Sequence, residues 1–119
     1  MTDEIRNISG EFVIKLDGKE RTIKATFGAV EKLEGGILGK TIFEALNDAI
    51  NGRVRYADVI SVIMVGLEAF NRDTRMSREE IGNAVFAVGL TDFLATHIEY
   101  LTYCLTGGKK PKAGAKGEA

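Results

Sequence analysis

The stretch from Gly10 to Glu34, GEFVIKLDGKERTIKATFGAVEKLE, changes its hydrophobic period midway, and that change sets the fold class. Phe12, Ile14 and Leu16 alternate with Val13 and Lys15, which puts the three on one face of an extended chain. Asp17-Gly18 supplies a turn that tolerates positive φ, and Thr22, Ile23 and Lys24 resume the extended pattern, so the spacing predicts a β-hairpin. From Thr26 onward the period becomes about 3.6 residues: Phe27, Val30 and Leu33 share a helical face until Gly35-Gly36 stops it. An isolated hairpin is marginal in water. Its apolar face must lie on helices, or its edges must pair with another chain.

Helical signals continue downstream. Thr41 with Glu44 is a capping box, Ile42, Leu46 and Ala49 make a buried stripe, and Asn51-Gly52 ends the segment. From about Tyr56 to Phe70, the spacing of Tyr56, Ile60, Ile63, Leu67 and Phe70 is helical. Val59, Val62, Met64 and Val65 make this helix apolar nearly all round, the mark of a central, enclosed element. A buried strand is the alternative there, and length favours the helix. Ser77 with Glu80 opens the next helix, Gly89 interrupts it, and Thr91 is placed as the cap of the last, with Leu94, Ile98, Leu101 and Leu105 as its core stripe and Gly107-Gly108 as its end. Gly66, Gly82 and Gly89 each cost a helix about 1 kcal/mol relative to Ala, and so mark close approach or a break. The expected architecture is α+β: an N-terminal hairpin followed by about five helices packed as one small domain. Its boundaries are an arm over residues 1–8, the domain over 9–106 and a flexible basic tail over 107–119.

Composition narrows the function. The chain has 119 residues, 45% of them apolar, with 16 Lys+Arg against 17 Asp+Glu, one His and one Cys. That size fits one hydrophobic core. A near-zero net charge argues against a general nucleic-acid binder, which needs a basic surface. Residues 107–119 carry four Lys against one Glu, leaving a mildly acidic body. The start, MTDEIRNISG, lacks the order of a signal peptide, and the longest apolar stretch, Val59 to Leu67, is far short of the roughly 20 residues that span a bilayer. No membrane partner is expected.

No enzymatic constellation emerges. Gly39-Lys40-Thr41 invites a phosphate-loop reading, but Glu34 occupies the required glycine position and the preceding segment is helical where that motif needs a strand. His97 and Cys104 lie seven residues apart on one helix, about 10 Å, too far to share a proton. No second His or Cys completes a metal set. Neither catalytic residues, cofactor nor metal are expected. More suggestive is a second stripe on the last helix, Phe93, His97, Tyr100 and Cys104 with Tyr103 at its edge, which widens the apolar face to about 200°. Such a helix is either wedged between two others of its own domain or receives an apolar helix from a partner. The partner-binding candidates are therefore Phe93, His97, Tyr100, Tyr103 and Cys104, with Val13 on the hairpin.

The runs GEFVIKLDGKERTIKATFGAVEKLE, ADVISVIMVGLEAF and SREEIGNAVFAVGL resemble the tail assembly chaperone family of siphophages and gene transfer agents. Shared marks are a Gly-Glu start, a short hairpin, a Thr-Phe-x-Ala helix ending in Leu-Glu, a central helix ending in Gly-Leu, and a Glu-Glu capped helix ending in Gly-Leu. Residues 9–106 follow that order, with Glu20-Arg21 departing from the more apolar pattern after the turn. The resemblance implies a non-enzymatic protein that binds the tape measure protein in the host cytoplasm, assists tail tube assembly and is absent from the mature particle. The tail tube protein is a further expected partner, and self-association through the hairpin edge another. The alternative is a small structural component of the particle, a tail tube or head-tail adaptor subunit.

Overall fold

The hairpin forms where the alternation places it. In a computed structural model that describes residues 10–74 and 76–108, β1 (Glu11–Leu16) pairs antiparallel with β2 (Lys19–Lys24), Phe12 opposite Ile23 and Leu16 opposite Lys19. Asp17 and Gly18 take φ of 55° and 75°. Two left-handed residues give the turn a twist that matches the flanking strands. Phe12, Ile14, Leu16 and Ile23 are buried, all on the face turned to the helices.

Five helices follow the hairpin among the described residues. Thr26 caps α1 (Phe27–Lys32), its hydroxyl accepting from Ala29 N at 3.0 Å. The helix then widens into a π turn at Leu33–Ile37, where Gly36 leaves helical geometry at φ 144°. α2 (Ile42–Ile50) carries the Thr41–Glu44 capping box, and Glu34 Oε2 adds a second cap by accepting from Ile42 N at 2.9 Å. α3 (Tyr56–Phe70), α4 (Arg78–Val88) and α5 (Thr91–Thr106) complete the domain. α3 is the central element: Val59, Val62, Ile63, Val65 and Leu67 are all buried, and it packs against β2, α1, α4 and α5. A Cβ at Gly66 would come within 2.6 Å of Ile23 Cβ. Glycine is thus what allows the helix to rest directly on the strand, at the propensity cost of about 1 kcal/mol.

Several local expectations change. Phe27, expected on the buried face of α1, points to solvent, and Ala29 joins Leu33 in the core instead. Those two lie near one another on the helix circumference, while Phe27 falls outside their arc. In α2, Ala45 is buried and Leu46 only half-buried. Tyr56 and Phe70, at the ends of the central stripe, reach past the neighbouring helices and are partly exposed. Thr91 is not the cap of α5: Gly89 turns the chain at φ 109°, Leu90 is already helical, and Thr91 is the first helical residue with no capping bond from its hydroxyl. The arm over residues 1–8, and the basic tail beyond Gly108, lie outside the described residues.

Candidate interaction surface

The second stripe of α5 meets its own hairpin. Phe93, His97 and Tyr100 are buried, Tyr100 completely. The Tyr100 hydroxyl donates to Lys24 O at 2.7 Å, and its ring lies 5.8 Å from that of Phe12. Burial pushes its phenol above the usual range. Tyr103 stacks edge-on with Phe12 at 6.2 Å and fills the space between two glycines: a Cβ at Gly10 or Gly108 would come within 2.9 or 2.7 Å of its ring. On its other side α5 packs against α2. The broad apolar arc of this helix is therefore shared between two neighbours in one domain. A partner could reach Tyr100 only by displacing the hairpin. Tyr103, Cys104 and Val13 are half-buried and keep some contact with solvent.

The titratable groups of that stripe are chemically quiet. His97 is 3% exposed, and neither Nδ1 nor Nε2 has a hydrogen-bond partner. Desolvation pushes its pKa down to about 4, with the Asp58 charge pulling the other way and Lys40 adding to the fall. The imidazole is neutral at pH 7. Burial pushes the Cys104 thiol up to about 12, helped by the charge of Glu34, so it is no nucleophile. No group of three or more His, Cys, Asp or Glu suited to a metal occurs among the described residues.

Lys40 of the Gly-Lys-Thr sequence is engaged in a structural network. Its Nζ lies 2.9 Å from Asp48 Oδ2 on α2 and 3.8 Å from Asp58 Oδ2 on α3. Asp58 is buried and accepts from Arg55 N, Nε and Nη2 at 3.0, 3.2 and 2.7 Å. Burial alone would raise the Asp58 pKa, but the Arg55 hydrogen bonds and the Lys40 charge outweigh it and hold the carboxylate below its ordinary value. The network joins the loop before α2 to the start of α3.

What the fold leaves uncovered lies elsewhere. Phe27, Phe43 and Phe86 are 76%, 72% and 74% exposed, with Ile50 and Val88 also largely in solvent. On α2, Phe43, Leu46 and Ile50 follow helical spacing and flank the buried Ile42, Ala45 and Ala49. Across α3 and α4, the Tyr56 and Phe86 rings meet at 6.1 Å. Beside β1 a groove of about 390 Å³ runs between Val13 and Lys15 on one wall and Val88, Asp92 and Phe93 on the other. Sequence reasoning passed over Phe43 and Phe86, although a signal exists: each directly adjoins a core residue, Ile42 or Val85. Adjacent helical positions stand about 100° apart and cannot point the same way. No described helix is long and apolar enough to cross a membrane.

A family model described as phage tail tube protein, GTA-gp10, matches residues 9–107, which takes in the hairpin and all five helices. No curated protein and no solved structure matches the chain.

Proposed function

The chain belongs to the family described as phage tail tube protein, GTA-gp10, and from that membership we propose that it serves as a non-enzymatic subunit of the tail tube of a phage or gene transfer agent. The observation that carries the reading is the family match over residues 9–107. The surface supports it. A small domain with three phenylalanines standing in water, and an aromatic pair at Tyr56–Phe86, gains about 25 cal/mol for each Å² of apolar area that neighbouring subunits cover. Repetition along a tube multiplies such modest contacts.

A second reading, escort of the tape measure protein before the tube closes around it, draws on the order of elements in residues 9–106 and on the flank of α2. Phe43, Leu46 and Ile50 form a narrow apolar strip suited to a stripe on an extended helical partner. On that reading the protein works in the bacterial cytoplasm and leaves before the particle is finished. Quantitative mass spectrometry of purified particles distinguishes the two. A tube subunit is retained in many copies per particle. Its absence from particles, together with co-purification with the tape measure protein from unassembled lysate, would replace the tube assignment with escort.

A further inference from the structure

We infer that β1 pairs with β1 of a second copy, antiparallel and centred on Val13, forming a four-stranded sheet across a two-fold axis. The hydrogen-bond alternation of the hairpin leaves the necessary groups unused by β2. Ala25 N donates to Gly10 O at 2.8 Å, and the strands run in register from Glu11–Lys24 to Leu16–Lys19. In an antiparallel ladder bonded and non-bonded pairs alternate. Gly10, Phe12, Ile14 and Leu16 therefore direct their main-chain groups toward β2, and Glu11, Val13 and Lys15 direct theirs outward. Among the described residues no third strand lies beside β1, and the groove between Val13 and Val88 gives an arriving strand room.

Charge selects the occupant and its direction. Centred on Val13, Glu11 faces Lys15 of the second copy and Lys15 faces its Glu11, with the two valines in contact at the axis. The hairpin already sets Lys24 beside Glu11 and Glu20 beside Lys15. One row of the joined sheet would read Lys24, Glu11, then Lys15 and Glu20 of the second copy, with the sign alternating at every step. Opposite charges directly across a ladder are favourable and like charges are not. A parallel, in-register arrangement would set Glu11 on Glu11 and Lys15 on Lys15. Charges usually protect an exposed edge against unwanted pairing. Here each end of the strand carries the sign that its own copy lacks. The pairing is read from the strand alone and is independent of the tail assignment.

The test is sedimentation of the full chain over a concentration series. The unmodified protein is expected to dimerise. Glu11→Lys and Lys15→Glu, each checked for retained helix by circular dichroism, are expected to weaken the dimer about tenfold or more, since either change sets like charges opposite one another twice. An equimolar mixture of the two variants restores association, because each supplies the sign the other needs. Amide hydrogen exchange at Glu11, Val13 and Lys15 is expected to slow as concentration rises. A protein that stays monomeric throughout, a dimer indifferent to both reversals, or a mixture no more associated than its separate variants would overturn the pairing.

Discussion

α2 and α5 both carry apolar arcs wider than one neighbour needs, yet the two arcs end differently. On α5 the excess, Phe93, His97 and Tyr100, is buried within the same domain, Tyr100 directly beneath the hairpin. On α2 the excess, Phe43 and Ile50, has no such cover and stands in solvent. Arc width alone reports how many neighbours a helix has, and is silent on whether they belong to it. What separates the two is the hairpin: it is anchored along α5 by a hydroxyl and two aromatic contacts, and among the described residues nothing comparable reaches the outer flank of α2.

The comparison breaks most visibly at Tyr100. Tyr100→Ala is expected to cost about 4 kcal/mol, because a large buried ring is removed and a carbonyl loses its donor. Urea unfolding measures this directly, and a loss near zero would mean that the ring faces a partner after all. Acid comes next. His97 titrates near 4 when folded against an ordinary 6.5, so between those values the unfolded chain binds more protons. Its contribution is fully present above about pH 6.5 and is lost as pH falls toward 4, by up to about 3 kcal/mol. Asp58, whose pKa is lowered, adds a loss in the same direction at still lower pH. Urea midpoints from pH 7.5 down to 4.5 should decline, and His97→Phe should flatten the slope. An unchanged slope would show that the imidazole is solvated. The smallest effect on stability lies on the other arc. Phe43→Ser is expected to alter unfolding by less than about 0.5 kcal/mol, while reducing incorporation into tails if the chain is the tube subunit proposed above. Stability and incorporation that fall together would instead place Phe43 within the fold.

Local chemistry is legible in the sequence. The Asp17-Gly18 turn, the boxes at Thr41–Glu44 and Ser77–Glu80, the stop at Gly107 and the enclosed helix around Val62 all rest on side chains acting within a few residues of themselves. Gly66 was readable as a point of close approach, though not as a contact with Ile23. The misplaced cap at Thr91 arose because a positive-φ glycine released Leu90 into the helix first, a choice made by backbone geometry rather than by the hydroxyl. The interaction surface was the least legible part. Period identifies which side of a helix is apolar, but the element that covers it comes from a distant segment, 76 positions away in the pair Tyr100 and Lys24 and farther still in Phe12 and Tyr103. Phe43 and Phe86 were hidden by their neighbours Ile42 and Val85, which belong to the core while they do not.

Tyr103 packs close to both Gly10 and Gly108, so the beginning and end of the described domain sit beside the two edges of one phenol ring. From Gly10 to Gly108 the backbone forms a loop closed by packing instead of by a peptide bond. Joining Gly10 to Gly108 through a short linker and opening new ends in the exposed stretch after Phe70 would leave every described strand and helix intact, and a segment leaving the domain at Gly10 would start beside one leaving at Gly108.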